Sequence, residues 1–506
     1  MQNHWFKTTV LFIFVLAAVL RLATVGYGTN VDEGVYWVEG KQMVDGYLIY
    51  QDTQVNKPPL VALVSAFFFL FGETPIYPMR LGMVAFSLLG LYWLFQLTRL
   101  LLGRNAALAA LIFIALEPYS CVWAKFLHTS TWAPFFEAGV FLYWIRGLRR
   151  RNRALLVLSG LLLGIYALNK QSAIFVLLPG LAAWFLFAHC RSWREFLWDM
   201  LAWAAGFFLV FGPLFLFLFW KGIWGDFWFD IWTAHHLLAP WFKDHTLAFR
   251  WHEMQVVMQV APVLWIFPVG SLLLLRSPRW RAVCFGWIWL GGVFWGNTLF
   301  ISHLWKHYLL VPMFPCALLA GGFWGWLGRV LVQAARRTRP QPLANAWILF
   351  GTFILFCAMV LGWYKNDWTY PGLTLTQERQ LARYIQRACP GEYLLNLTNP
   401  AFYVWTDKKI PPAVRGDHIT RIPYFMTFAG RGYMTMEDLQ HTVEGWQDLS
   451  IDCVVAYDKY LVQMQNDPVL APLKAWLLAN YQPPRRIAVG ESYYGWFWLF
   501  EKKKAN

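Results

Sequence analysis

Long apolar runs, separated by short polar segments, make up most of the first 363 residues. A membrane-spanning helix needs about 20 predominantly apolar residues, and many of the runs approach this length. Twelve runs are candidates, and they begin near Thr8, Pro59, Met79, Ala106, Trp132, Ala154, Ala173, Met200, Val256, Ala282, Tyr308 and Ala344. The pattern predicts an α-helical polytopic membrane protein.

Length and charge together decide how many of these runs cross the membrane. Residues 59–72 would reach only about 21 Å as a helix, against roughly 30 Å of hydrocarbon. If this run lies in the interface, the basic clusters at residues 146–153, 189–195, 276–281 and 335–339 all face the cytoplasm, as the positive-inside rule requires. We therefore predict about eleven spans, with a retained amino-terminal anchor that starts inside and a carboxyl terminus outside.

Hydropathy falls after Trp363, which divides the chain into a transmembrane domain at 1–364 and a soluble extracytoplasmic domain at 365–506. In the second part, "EYLLNL", "DCVVAY" and "GWFWLFEKK" predict strands, and "TQERQLARYIQRA" and "PVLAPLKAWLLANY" predict amphipathic helices. A small α/β domain follows from this pattern. Cys389 and Cys453 are its two cysteines, and a disulfide or two separate buried thiols are both open.

Composition agrees with this class, since 58% of the residues are hydrophobic and only 14% are charged. The net charge of +15 does not indicate a nucleic-acid partner, because the basic residues lie in short loops between apolar runs rather than on one face of a soluble domain.

The first external loop, residues 27–58, is the most polar part of the first hundred residues. Asp32 and Glu33 follow the first span directly, and an amphipathic stretch at 36–43 comes next. In the predicted topology Lys57, Arg80 and Lys170 share this side of the membrane. A carboxylate can deprotonate an acceptor hydroxyl while cations hold the charge of a departing phosphate. The loop therefore predicts a catalytic site at which an acceptor hydroxyl is deprotonated and a phosphate leaves.

Four ordered segments resemble the bacterial branch of the protein O-mannosyltransferase family, which includes the lipid A aminoarabinose transferase. They are "VDEGVYWVEGKQMVDG" with "NKPPL", the block beginning "IYPMRLGMVAF", "GLLLGIYALNKQSAIFVLLPGL" and "HYLLVPMFPCALLAG". The resemblance implies an integral membrane glycosyltransferase of the C superfamily. Such an enzyme takes a sugar from a polyprenyl-phosphate donor on the extracytoplasmic face and inverts its anomeric centre.

The resemblance also implies residue roles. Asp32 matches the catalytic base, Glu33 its partner or a metal ligand, and Lys57 a contact to the lipid phosphate. Five other positions match residues that line the same cavity: Arg80, Lys170, Lys306, His307 and Tyr308. His235 and His236 are similar to a family histidine pair, and the resemblance implies substrate binding for all seven. A divalent metal ion is the one cofactor left open. Asn56 stands where relatives often carry Glu before Lys-Pro-Pro, which argues against a metal site of that type.

Two other interpretations remain open at this stage. One is a transporter or flippase of lipid-linked glycans, and the other is a non-catalytic protein that binds polyprenyl lipid. Transporters place ionisable residues near the membrane midplane, whereas here they cluster at helix ends, with Glu137 as the main exception. The favoured partners are a lipid-linked sugar donor and a lipid, glycan or protein acceptor, in a bacterial inner or cell membrane. The sequence names neither the sugar nor the acceptor.

Overall fold

The computed structural model describes residues 2–55, 57–188, 192–234, 268–300, 310–338, 373–415, 418–422, 425–428, 434–492 and 495–503. Before residue 339 the described segments are mainly helical. Its α-helices, numbered here in chain order, are α1 (Gln2–Leu22), α2 (Val31–Val44), α3 (Leu60–Phe69), α4 (Ile76–Leu102), α5 (Arg104–Leu116), α6 (Pro118–Trp123), α7 (Thr129–Arg150), α8 (Arg153–Asn169), α9 (Leu177–Phe187), α10 (Trp193–Trp220), α11 (Trp224–Trp228), α12 (Trp280–Phe300) and α13 (Leu310–Thr338).

Four of the described helices are long and apolar enough to cross a membrane, and four others are apolar but shorter. The long ones are His4–Leu22, Ile76–Leu102, Trp193–Trp220 and Leu310–Val330. The predicted helical membrane fold is confirmed. The count of eleven spans stays a prediction, and the runs near Val256 and Ala344 lie outside the described residues.

Helix α3 is the short element that the sequence places in the membrane interface. It has 10 residues and would extend about 15 Å. Leu63, Phe67, Leu70 and Phe71, in or just after it, expose apolar side chains on one side, while Ser65 packs against Gly40 of α2. The predicted shortness is confirmed, and an interfacial position stays a prediction.

Helix α7 forms the centre of the bundle, since nearly all of its residues from Thr129 to Leu148 are buried. Close packing of α8 on α10 supports it from one side: a Cβ atom on Gly160 would lie 1.9 Å from the carbonyl oxygen of Trp203. Small residues allow helix backbones in membranes to approach in this way. The arrangement fixes the amino-terminal end of α7, which carries part of the candidate site.

The carboxyl-terminal part is an α/β domain. It contains α14 (Leu375–Ala388), β1 (Tyr393–Leu397), α15 (Ala401–Thr406), β2 (Ala413–Arg415), β3 (His418–Thr420), α16 (Phe425–Phe428), α17 (Met436–Gly445), β4 (Ile451–Tyr457), α18 (Asp458–Asn466), α19 (Ala471–Asn480), β5 (Arg485–Ser492) and β6 (Gly495–Glu501). The main sheet has the order β1-β4-β6-β5, with β1 parallel to β4 and the other pairs antiparallel.

The three predicted strands and the two predicted helices of this domain are present. Cys389, at the end of α14, forms a disulfide with Cys453 in β4, with 5.5 Å between their Cα atoms. Of the two possibilities that the sequence left open, the structure contains the disulfide. The boundary predicted between residues 364 and 365 lies outside the described residues.

Candidate active site

Asp32 lies in the first turn of α2. The side chain of Asn30 caps this helix and accepts a hydrogen bond of 2.8 Å from the backbone N–H of Asp32. A helix amino terminus favours a negative charge, so the position stabilises the ionised carboxylate. The Asp32 side chain is 43% exposed, which leaves it accessible to a substrate.

The side chain of His128 contacts the carboxylate of Asp32. Its Nε2 lies 3.1 Å from Oδ2 of Asp32, and its Nδ1 accepts a 3.1 Å hydrogen bond from the backbone N–H of Ser130. Because Nδ1 accepts a hydrogen bond, the ring proton lies on Nε2, and Nε2 donates a hydrogen bond to the carboxylate of Asp32. The buried imidazole, which has the rings of Tyr36 and Trp123 edge-on against it, therefore fixes the orientation of Asp32.

Sequence reasoning did not assign a role to His128. The available signal was local: it directly precedes "TSTW" at the start of an apolar run, and it caps α7 through Nδ1. A residue that caps a bundle helix near the loop at 27–58 can contact that loop, and this position could have pointed to His128.

Glu33 pairs with Arg80 of α4 in a fully buried, bidentate ion pair. Arg80 Nη2 lies 2.6 Å from Oε2, and Nε lies 3.1 Å from Oε1. Arg80 also donates to the backbone carbonyls of Val25, Tyr27 and Gly28. This geometry fixes the segment before α2 against the bundle. The substrate and metal roles that the resemblance implies for both residues stay predictions.

Lys57 provides positive charge near Asp32, and Lys170 lies close to Lys57. Lys170, at the end of α8, is buried and donates to Oγ of Ser130 at 2.9 Å. Burial lowers the pKa of Lys57 to about 8, and the carboxylates of Asp32 and Glu39 oppose this shift. Burial also lowers the pKa of Lys170 to about 7, and the nearby charge of Lys57 adds to this effect. An anionic ligand here would relieve the repulsion between the two lysines.

A second buried polar cluster lies further along α2. Glu39, seven residues after Asp32 and so on the same helix face, is only 2% exposed. Burial raises its pKa well above the usual value, and the charge of Asp230 raises it further. Asp230 accepts a 3.1 Å hydrogen bond from the backbone N–H of Val55, and Tyr50 donates to the carbonyl of Lys57 at 3.1 Å. These contacts hold the loop that carries Lys57.

The remaining predicted site residues, His235, His236, Lys306, His307 and Tyr308, lie outside the described residues. Within the ranges that the structure covers, no group of three or more His, Cys, Asp or Glu side chains is placed to hold a metal ion. The divalent metal ion that the resemblance leaves open stays a hypothesis.

Comparison with known proteins identifies the fold. The family model of dolichyl-phosphate-mannose-protein mannosyltransferases matches residues 56–220. Among solved structures, the chain is similar to ArnT from Cupriavidus metallidurans bound to undecaprenyl phosphate, with a TM-score of 0.60, 15% identity, and coverage of 99% of this chain and 98% of that one. The protein has the C-type glycosyltransferase fold.

Two other C-type glycosyltransferase structures are also similar. The oligosaccharyltransferase of Archaeoglobus fulgidus gives a TM-score of 0.56 at 12% identity, covering 99% of this chain and 74% of that one. The mycobacterial arabinofuranosyltransferase AftD gives 0.53 at 11% identity, covering 100% and 40%. None of the curated proteins compared with the chain matches it. Together these likenesses show the fold of the chain.

Proposed function

We propose that the protein is an inverting glycosyltransferase that moves a hexosyl or pentosyl group from a polyprenyl-phosphate donor to a hydroxyl of a lipid, glycan or protein. The observation that carries the proposal is the pair of Asp32 and His128 beside Lys57 and Lys170. An accessible carboxylate, oriented by a buried imidazole, lies near Lys57, and Lys57 lies near a second buried lysine, Lys170; two such cations can bind a phosphate.

The chemistry follows from this geometry. Asp32 takes the proton of the acceptor hydroxyl as its oxygen attacks the anomeric carbon of the donor sugar. The bond between that carbon and the phosphate oxygen breaks, and polyprenyl phosphate leaves on the opposite face, so the anomeric centre inverts. Lys57 and Lys170 stabilise the negative charge that develops on the leaving phosphate. His128 keeps one carboxylate oxygen oriented throughout.

Two observations support the donor class and the compartment. The ArnT structure that resembles this chain contains undecaprenyl phosphate, the lipid that would remain after sugar transfer. The Cys389–Cys453 disulfide is typical of proteins in oxidising compartments, which supports an extracytoplasmic carboxyl-terminal domain. We place the protein in a bacterial inner or cell membrane, with its site on the outer face.

A purified protein and defined donors test the function. The protein in detergent is mixed with undecaprenyl-phosphate hexose or pentose and, in turn, with lipid, polysaccharide and protein fractions of the envelope. Release of undecaprenyl phosphate and sugar attachment to one fraction are measured together by mass spectrometry. Transfer by the wild type identifies donor and acceptor at once, whereas binding of every donor without transfer would contradict the enzyme assignment.

The Asp32→Asn variant tests the assigned base, because it keeps the shape of the side chain and removes its basicity. We expect turnover to fall by about 10²-fold or more, the usual scale for a general base. Asp45→Asn is the matched control, since Asp45 is an exposed carboxylate at the other end of α2. If Asp32→Asn transfers sugar at the wild-type rate, the base lies elsewhere.

A further inference from the structure

The segment that precedes the catalytic helix, residues 25–30, is held from two sides. Arg80 of the helical bundle donates hydrogen bonds to three of the segment's carbonyls, as described above. On the other side, the backbone N–H of Leu375 donates to the carbonyl of Gly26 at 3.2 Å. The carboxyl-terminal domain therefore contacts this segment directly.

Thr29 is the centre of that contact. Its backbone N–H donates to Oε1 of Glu378 at 2.7 Å, and its hydroxyl donates to Oε2 of the same carboxylate at 2.5 Å. Its carbonyl accepts a 3.1 Å hydrogen bond from Nδ2 of Asn399. All three polar groups of Thr29 are thus used by the domain, and Thr29 directly precedes Asn30, the cap of the catalytic helix.

At the same place the carboxyl-terminal domain also packs closely against the backbone around the start of α2, which is an independent observation of the contact. A Cβ atom on Gly28 would lie 1.7 Å from the carbonyl oxygen of Leu373, and one on Gly34 would lie 2.4 Å from Oδ1 of Asn399. Both glycines flank the start of α2. Only residues without a side chain allow the domain to approach this closely.

We propose that Glu378 and Asn399 are positioning residues for Asp32. Through them the carboxyl-terminal domain holds residues 25–30, the segment that precedes the helix of Asp32. The proposal rests on the proposed function of Asp32. The two domains hold this segment between them. Arg80 of the bundle donates hydrogen bonds to three of the segment's carbonyls, and Glu378 accepts hydrogen bonds from the N–H and hydroxyl of Thr29, three residues before Asp32. Loss of either side would let the carboxylate move relative to His128.

The charges around Glu378 make its contact sensitive to protonation. Burial raises its pKa to about 7, the positive charge of Arg80 opposes this shift, and the negative charge of Glu33 adds to it. Both Glu378 oxygens already accept hydrogen bonds from Thr29, so a proton on either one replaces an acceptor with a donor. The contact is therefore strongest when Glu378 is ionised.

The test uses the full chain in detergent with Glu378→Ala, Glu378→Gln and the control Glu437→Ala, an exposed carboxylate in the same domain. Hydrogen–deuterium exchange of residues 26–34 reports on the segment without any reference to activity. We expect Glu378→Ala to increase exchange there while the disulfide-bonded domain keeps its melting temperature. Glu378→Gln should have a smaller effect, since its amide oxygen can still accept from the N–H of Thr29.

Turnover measurements show whether this order matters for catalysis. Glu378→Ala should lower kcat by about tenfold or more, because small misplacements of a reacting group are costly, with little change in the KM for the donor. The cost should not add to that of Thr29→Val. Unchanged exchange, or a kcat within about twofold of the wild type, would overturn the proposal. A wild type without transferase activity would refute the proposed function, and the exchange data would still test the contact.

Discussion

His128 donates a hydrogen bond from Nε2 to Oδ2 of Asp32 across 3.1 Å, although the two residues are 96 positions apart in the chain. Asp32 lies in the first turn of α2, and His128 caps α7 at the centre of the bundle. The bundle therefore sets the orientation of the Asp32 carboxylate. The position of α2, the helix that carries Asp32, is set by residues 25–30, the segment that precedes α2. These two supports can be removed separately.

Removal of the imidazole should reduce turnover without removing the base. We expect His128→Ala to lower kcat by about tenfold and to leave the KM for the donor nearly unchanged, because the imidazole contacts and orients Asp32. In an Asp32→Asn background the same substitution should have little further effect, since residues that act as one unit are not additive. Steady-state kinetics of the two single variants and the double variant check this. Fully additive losses would show that His128 acts independently of Asp32.

Donor affinity should depend on pH through the two lysines. Their pKa values of about 8 for Lys57 and about 7 for Lys170 mean that both lose their positive charge as pH rises through this range. An anionic donor binds the protonated forms, so the KM for the donor should rise above about pH 8. Lys57→Arg keeps its charge at every accessible pH and should reduce this rise. A donor KM that stays constant between about pH 6.5 and about pH 9 would contradict the assignment.

Arg80 should contribute to stability more than to chemistry. Its partner Glu33 is as fully buried as Arg80 itself, so Arg80→Met leaves an uncompensated carboxylate and should cost about 3 kcal/mol or more. The added substitution Glu33→Gln should recover part of this cost, but not the contacts of Arg80 to three carbonyls. Denaturation followed by circular dichroism measures both variants, with Arg383→Met on the exposed face of α14 as control. Wild-type stability of Arg80→Met would refute the interpretation.

The sequence predicted the polar segments of the site better than their contacts. Asp32 and Lys57 could be chosen because they are ionisable and lie in a short loop beside an apolar run, where local pattern is sufficient. His128 and Glu378 could not, because their partners lie 96 and 349 residues away and a single sequence carries no signal for such pairs. Glu39 was missed for a different reason: its helix looked interfacial, and the pattern did not show that this face is buried.

The predicted orientation can be tested by chemical labelling of two introduced cysteines. Arg150 ends α7 within a basic cluster, and Gln440 is exposed in α17 of the carboxyl-terminal domain. The positive-inside rule and the disulfide in that domain predict that these positions lie on opposite sides of the membrane. A membrane-impermeant maleimide added to intact cells should label Gln440→Cys and spare Arg150→Cys, whereas inverted vesicles should give the reverse. Asp32 lies at the other end of the bundle from Arg150, so this result would also place the catalytic segment outside. Labelling of both positions from the same side would require an odd number of the spans between them to be added or lost. The reversed pattern, with Arg150→Cys labelled in intact cells and Gln440→Cys only in inverted vesicles, would contradict the interfacial position of residues 59–72.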